Sequence, residues 1–152
     1  MLSPFEEHLI KFCVDVYQSL GTGYKEQVYQ RALSFDLSAN GYVHSTEVNV
    51  NIHYKNVFIG FERADIVVNN PQAVIELKAQ SQKVSHKELF QLHRYLLDLG
   101  VQTGYLINFS HVNYCIDQNT VLKALEVYKV ENTPERTSQA FVFNGTQFLQ
   151  VN

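Results

Sequence analysis

The stretch that decides the fold is residues 63–78, which read RADIVVNNPQAVIELK. Two apolar runs, 66–68 and 73–75, flank a polar Asn-Asn-Pro segment that is typical of a turn. The pattern predicts two antiparallel strands that fold back on each other. Because apolar residues occupy consecutive positions, both faces of this strand pair are predicted to be buried.

Charged side chains inside this apolar hairpin are the first functional signal. If the strands fold back symmetrically about Asn70–Pro71, Asp65 lies opposite Glu76, and cross-strand neighbours have Cβ atoms about 5 Å apart. Lys78 shares a face with Glu76, since side chains alternate along a strand. Two buried carboxylates at this range repel each other. A divalent cation such as Mg²⁺ or Mn²⁺, which prefers oxygen ligands, would remove that conflict.

This arrangement suits the hydrolysis of phosphate esters. A metal held here would polarise a phosphoryl oxygen and lower the pKa of its bound water. Lys78 would then orient the nucleophile or stabilise the developing charge. The alternative is that Glu76 and Lys78 form an ordinary solvated pair on a one-sided sheet. The apolar neighbours favour the metal site, because charges are seldom left without a role in a strand pair buried on both faces.

Hydrophobic periodicity places this hairpin in an α/β chain. A capping box at residues 3–6 opens a helix, and strand 43–54 alternates so that its face with Val48, Val50, Ile52 and Tyr54 is predicted to be buried. Beyond Ser110 the pattern weakens: residues 121–130 fit either a helix or a strand, and Asn144-Gly145 predicts a type I′ hairpin turn. The predicted order is helices at about 3–20 and 24–40, strands 43–54, 57–68 and 73–79, helix 85–99, and strand 103–109.

The composition predicts one globular domain over residues 1–152. The chain is 45% hydrophobic and 18% charged, and its net charge of -3 excludes binding of nucleic acid through bulk positive charge. The first residues lack the pattern of a signal peptide, and no apolar run approaches the roughly 20 residues of a membrane span. Cys13 and Cys115 are too far apart for a CxxC metal motif. We therefore expect a cytoplasmic protein with buried free thiols and no membrane partner.

Polar residues on two helices are expected near the hairpin. Gln91 and Tyr95 form an i, i+4 pair on the side of their helix opposite its leucine stripe. Glu26 begins the second helix, either as an acid favoured by the helix dipole or as a carboxylate pointed at the metal. Basic residues after the hairpin would either contact phosphates or form a solvated helix face: Lys83, Lys87 and Arg94.

Several motifs occur in an order that resembles a known group of proteins. They are GYKEQVY at 23–29, RAD at 63–65, IELKA at 75–79, QLHRYL at 91–96 and GYLINF at 104–109. The first matches the signature G-x-x-E-x-x-Y, and the others resemble a metal hairpin, a Q-x-x-x-Y helix and the strand that follows it. Over about residues 5–110 the chain thus resembles the GxxExxY proteins, a branch of the PD-(D/E)xK nuclease superfamily.

The resemblance implies a restriction-endonuclease-like fold. Its αβββαβ core, at about residues 5–110, would be a mixed sheet flanked by helices, with an extra N-terminal helix. A C-terminal extension at about 111–152 would contain a β-hairpin. The implied activity is that of a phosphodiesterase dependent on Mg²⁺ or Mn²⁺.

The resemblance also implies roles for individual residues. Asp65 and Glu76 would be metal ligands, with the Leu77 carbonyl as a third. Lys78 would position or activate the attacking water. Glu26 would be an accessory acid close enough to serve as a further ligand. Two residues of the third helix would support Lys78 or the scissile phosphate: Gln91 and Tyr95.

Two functions follow as hypotheses. The first is a metal-dependent nuclease that acts on nucleic acid, DNA in preference to RNA, and a homodimer would let so small an enzyme address two strands. The alternative is a catalytically silent nuclease-fold module that binds nucleic acid or protein. The acidic net charge, the small size and the edge of the C-terminal hairpin motivate this second hypothesis.

Overall fold

A seven-stranded sheet organises the structure, which is a computed structural model that describes residues 1–112 and 123–151. Strands adjacent in sequence are adjacent in the sheet, and all pairs are antiparallel except β3 and β4. In chain order the elements are α1 (Pro4–Leu20), α2 (Glu26–Ala39), β1 (His44–Tyr54), β2 (Val57–Asn69), β3 (Gln72–Lys78), α3 (His86–Leu99), β4 (Thr103–Asn108), β5 (Glu126–Asn132), β6 (Ser138–Phe143) and β7 (Phe148–Gln150).

Helices cover both faces of the sheet, as the apolar runs predict. One buried group joins α1 and α2 to one face and includes Ile75, whereas a second group joins α3 to the opposite face and includes Val74. Helix α3 lies close against β4: a Cβ on Gly104 would lie 2.8 Å from Leu92 Cδ1. None of the helices in the described part of the chain is both long and apolar enough to cross a membrane.

The ends of the elements follow local chemistry that the sequence reveals. Ser3 Oγ accepts from the Glu6 amide at 3.1 Å, and Glu6 Oε1 accepts from the Ser3 amide at 2.9 Å, which confirms the capping box of α1. The turn between β1 and β2 places Lys55 and Asn56 at φ 48° and 64°, the backbone that a two-residue hairpin turn requires.

The β2–β3 hairpin has the register that symmetry about Asn70–Pro71 predicts. The ladder runs from the pair Asn69–Gln72 to the pair Ile66–Ile75. It ends one step before Asp65 and Glu76. The sheet therefore opens at the position of the two carboxylates.

The C-terminal part of the chain differs from the prediction in two respects. Residues 126–132 form β5, a strand that pairs with β4, so the extension adds three strands to the sheet rather than a hairpin alone. Asn144-Gly145 does not form a two-residue turn, because Asn144 Oδ1 accepts from the Thr146 and Gln147 amides, both at 2.9 Å, and this organises a four-residue loop.

The cysteines and the alternation of β1 were also predicted from the sequence. Cys13 is buried, and burial raises the pKa of its thiol, whereas Cys115 lies outside the described residues. Tyr54, predicted to be buried, is 61% exposed. The alternation of β1 holds as far as the buried Val50, but an irregularity between Ile52 and His53 shifts the register before Tyr54.

A buried ion pair ties the start of α1 to the middle of the sheet. Glu6 Oε2 lies 2.7 Å from Lys129 Nζ and accepts from the Tyr105 hydroxyl at 2.9 Å. Burial alone would raise the pKa of Glu6, but Lys129, the Ser3 amide and Tyr105 outweigh it, so the pKa lies below its usual value. The ionised form is therefore the one that stabilises the fold.

Replacing this carboxylate tests the ion pair. Glu6→Gln should lower the free energy of unfolding at pH 7 by about 2 kcal/mol, because charged hydrogen bonds to Lys129 and Tyr105 are lost. Glu131→Gln, which removes the more exposed partner of the same lysine, should cost about 0.5 kcal/mol or less. Urea denaturation measures both.

The pH dependence gives the sign of the effect. A lowered folded-state pKa contributes stability that is present above the unfolded-state pKa and is lost as the pH falls through the folded-state value. The difference between wild type and Glu6→Gln should therefore shrink below about pH 4. A difference that stays constant down to pH 2 would contradict the ion-pair account.

Candidate active site

Where the ladder of backbone hydrogen bonds between β2 and β3 stops, two side-chain carboxylates accept hydrogen bonds from backbone amides instead. The Asp65 amide donates to Glu76 Oε1 at 2.7 Å, and the Leu77 amide donates to Asp65 Oδ2 at 2.7 Å. Asp65 is 9% exposed and Glu76 is 5% exposed. These reciprocal bonds hold the two acids side by side, and each acid has one further oxygen for another partner.

The alternation of side-chain faces along β2 is interrupted at Asp65. The β1–β2 ladder skips the pair that Asp65 would form with Glu47, whose φ is 52°. Ala64 packs toward α3, but Ile66 packs toward α1 and α2, so the alternation of faces shifts between them. This distortion makes Glu47 a member of the site, although the strand pattern had placed it on an ordinary polar face.

Three carboxyl groups in the site have raised pKa values. Burial is the largest cause for Glu76, followed by the negative charge of Asp65. Burial also raises the pKa of Asp65, although the Leu77 amide opposes it. Burial and then Asp65 raise the pKa of Glu26 to about 7, and the Glu26 carboxyl shares a hydrogen bond with Asp65.

Lys78 supplies the positive charge nearest to these acids. It is half-buried, and its charge lowers the pKa of Glu26, Asp65 and Glu76. The pKa values of all three acids nevertheless remain raised, so the single ammonium group of Lys78 does not offset their negative charge. The site carries an excess of negative charge that a proton or a cation would offset.

The donor set suits a hard divalent cation. Among residues 1–112 and 123–151, no three His, Cys, Asp or Glu side chains are already arranged as a closed metal cage. Asp65 and Glu76 nevertheless present two adjacent, immobilised carboxylates. Mg²⁺ is commonly bound through one or two carboxylates while it retains waters, so the residues present fit such an ion.

Helix α3 lies against the same acids. Gln91 Nε2 donates to Glu62 Oε2 at 3.3 Å. Tyr95 is buried in the same group as Leu92 and Leu96, so the prediction that it lies opposite the leucine stripe is wrong. Burial, followed by the charges of Glu76 and Glu62, raises the pKa of its hydroxyl. Gln91 therefore reaches the site through Glu62, an acid that sequence reasoning did not identify because it is one of several polar residues on an alternating strand.

The basic residues that follow the hairpin are at the surface. Lys83 lies in the loop before α3, and Lys87 and Arg94 lie on α3. All three side chains are exposed. Arg94 is also near enough to lower the pKa of Tyr95, which places it at the rim of the site.

The raised pKa of Glu26 predicts a pH-dependent stability difference. A group whose folded-state pKa is raised contributes stability that is present below its unfolded-state pKa and is lost as the pH rises through the folded-state value, here about 7. Glu26→Gln should therefore gain stability relative to wild type between pH 5 and pH 8, measured in EDTA. Glu7→Gln, an exposed acid of α1, is the control and should show no such trend. A Glu26→Gln difference that is flat across this range would contradict the assignment.

Comparison with known proteins identifies a family for this chain. The family model described as the PD-(D/E)XK nuclease superfamily matches residues 3–119. The crystal structure of SSO0001 is 19% identical, with a TM-score of 0.44, over 81% of this chain and 84% of that chain. No curated protein matches. The family match spans the helices, the opened hairpin and its acids, and the chain belongs to the PD-(D/E)XK nuclease superfamily.

Proposed function

We propose that this protein is a metal-dependent nuclease that hydrolyses phosphodiester bonds, in DNA rather than RNA, and that it belongs to the GxxExxY branch through residues 23–29. The observation that carries the proposal is the pair Asp65 and Glu76, two buried acids fixed by reciprocal bonds with raised pKa values. In the absence of a cation, burial favours the protonated form of such acids. A divalent ion would compete with protons for these carboxylates and would be stabilised by their negative charge.

Asp65 and Glu76 would hold the cation through the oxygens not committed to Leu77 and Asp65 amides, with the Leu77 carbonyl as a third ligand. When bound, Mg²⁺ or Mn²⁺ would polarise a phosphoryl oxygen and lower the pKa of the attacking water. Lys78, which acts electrostatically on both acids, would orient that water or stabilise charge on the phosphate.

Glu26 would donate or accept a proton in the reaction. With a pKa of about 7, its carboxyl can hold or release a proton near neutral pH, and its hydrogen bond to Asp65 supports a role for that proton beside the proposed metal ligands. It would serve as an accessory acid and, once ionised, as a further ligand.

Helix α3 would position the site and receive the substrate. Gln91 would fix the acid Glu62, and Tyr95, whose hydroxyl stays protonated, would donate a hydrogen bond toward the acids or the scissile phosphate. Phosphates beyond the cut would meet the exposed cations at this end of the molecule: Lys83, Lys87 and Arg94. Pairing of two copies would present two such sites to two strands.

Cleavage assays with matched variants test the proposal. Asp65→Asn, Glu76→Gln and Lys78→Met should each lower the rate with Mg²⁺ or Mn²⁺ by about 10²–10⁴-fold, because each removes a ligand or a charge that acts on the reacting groups. Labelled single-stranded and duplex DNA and RNA serve as substrates. Lys11→Met and Asp98→Asn, which change exposed residues of α1 and α3, are the controls and should retain wild-type rates.

The outcome separates the enzyme from the silent module. If no substrate is cut with any of the metals, the nuclease proposal is wrong and a binding module of the same fold takes its place. Cleavage that persists unchanged in Glu76→Gln would show that the activity arises elsewhere or from a contaminant.

Metal binding has its own readout in thermal stability. A cation present at about 100 times its Kd stabilises a folded protein by roughly 2.7 kcal/mol, which for a chain of this size raises the Tm by roughly 5–10 °C. The increase should be larger at pH 8 than at pH 6, because protons compete for Asp65 and Glu76 at the lower pH. Glu76→Gln should abolish it, and calorimetry with Mn²⁺ provides an independent measurement.

A further inference from the structure

The tip of the β1–β2 hairpin exposes several large apolar side chains on its two faces. Scattered apolar side chains are normal on a protein surface, but clusters of this kind indicate a binding site. Five large apolar residues between positions 54 and 61 are at least half exposed: Tyr54, Val57, Phe58, Ile59 and Phe61. We refer to residues 52–63 as the hairpin arm.

The hairpin arm extends past the helix that covers the root of the same hairpin. Val50 is fully buried against the α3 group, and Glu62 accepts from Gln91 on that helix. Toward the tip, the register shifts between Ile52 and His53, and the side chains become exposed. The apolar side chains of the arm thus lie on the same hairpin as Glu62 and Asp65 but outside the buried part of the candidate site.

The exposed charges of the arm are positive. Lys55 Nζ lies 5.3 Å from the ring centroid of Tyr54, and the Arg63 guanidinium carbon lies 5.9 Å from that of Phe61. The one acid of the arm, Glu62, is half-buried and bonded to Gln91. In a chain of net charge -3, this pairs two cations with two aromatic rings on one projecting element.

That combination matches single-stranded nucleic acid better than a second copy of the chain. Unpaired bases stack on exposed aromatic rings while cations meet the phosphates. Half-exposed side chains of these types present on the order of 500 Å² of apolar surface, less than the roughly 800 Å² per partner of a standard dimer interface. Self-association would also bring Lys55 and Arg63 of both copies together.

The arm and the candidate site share a strand. At 3.2–3.4 Å per residue, Arg63 lies about 7 Å and Phe61 about 13 Å along β2 from Asp65. Stacked nucleotides advance about 3.4 Å each, so these side chains would meet positions within about four nucleotides of the phosphate at the site.

We propose that the hairpin arm binds an unpaired stretch of nucleic acid next to the scissile phosphate. A base stacks on Phe61, and the adjoining phosphate contacts Arg63, on the face of the hairpin that also carries Phe58. The proposal rests on the proposed function for the reaction at Asp65, and it names the substrate class as single-stranded or locally unpaired nucleic acid. DNA and RNA share this chemistry.

A tryptophan reporter tests stacking without reference to cleavage. The chain contains no Trp, so Phe61→Trp carries a single tryptophan that can be excited selectively, and Phe35→Trp, at a 73% exposed position on α2, is the matched control. In EDTA at low salt, oligo(dT) and oligo(U) should quench Phe61→Trp strongly and leave Phe35→Trp unchanged. A blunt duplex of equal length should quench neither.

Binding affinity provides the second readout. Phe61→Ala should weaken the binding of oligo(dT), measured by fluorescence anisotropy, by about 5- to 100-fold, whereas Phe35→Ala should leave it unchanged. Arg63→Gln should weaken binding and reduce its dependence on salt, as expected when a phosphate contact is lost.

Three results would overturn the inference. The first is a Phe61→Trp emission that stays unchanged at oligonucleotide concentrations that saturate the anisotropy, and the second is quenching by duplex alone. The third is an emission shift that depends on protein concentration in the absence of nucleic acid, which would make the arm a contact between copies of the chain. Quenching without cleavage on any substrate would support the arm and refute the nuclease. Cleavage without a change in Phe61→Trp emission would support the nuclease and refute the role of the arm.

Discussion

The hydrogen bonds from the Asp65 amide to the Glu76 carboxylate and from the Leu77 amide to the Asp65 carboxylate are the constraint on which the rest of the site depends. Each carboxylate accepts a backbone amide at the point where the β2–β3 ladder stops, so the acids take the place of missing strand partners. The same bonds therefore link β2 to β3 beyond the end of the ladder and hold two acidic side chains near each other. The surrounding fold supplies the free energy that keeps this unfavourable pair together, and protons or a cation reduce its cost.

Sequence reasoning predicted most of this arrangement because the governing chemistry is local. The turn at Asn70–Pro71 and the apolar runs beside it determine the register, which in turn determines that Asp65 meets Glu76. The capping residues of α1 are also local and are confirmed. A one-residue slip of the register would exchange the faces of the strand, so little freedom is left once one face is apolar.

The residues that sequence reasoning missed depend on contacts between distant segments. Glu47 joins the site through a left-handed backbone conformation in β1 that no alternation pattern reveals, and Glu62 joins it through a hydrogen bond from α3. Asn144 changes its turn because its own side chain replaces backbone partners. Strand β5 was ambiguous since its pattern suits a helix as well, and only its pairing with β4 decides the matter.

Gly104 shows how a position remote from the acids can limit the whole site. It has no side chain, which lets β4 lie directly beneath Leu92 and sets the depth at which α3 rests on the sheet. Leu92 stands next to Gln91 and one turn before Tyr95, so the helix delivers both polar groups to the acids only if it sits at that depth. A single added methyl group would meet the side chains of Leu92 and Leu96, so a substitution at Gly104 would shift α3 or these leucines and thereby disturb the position of Gln91 and Tyr95.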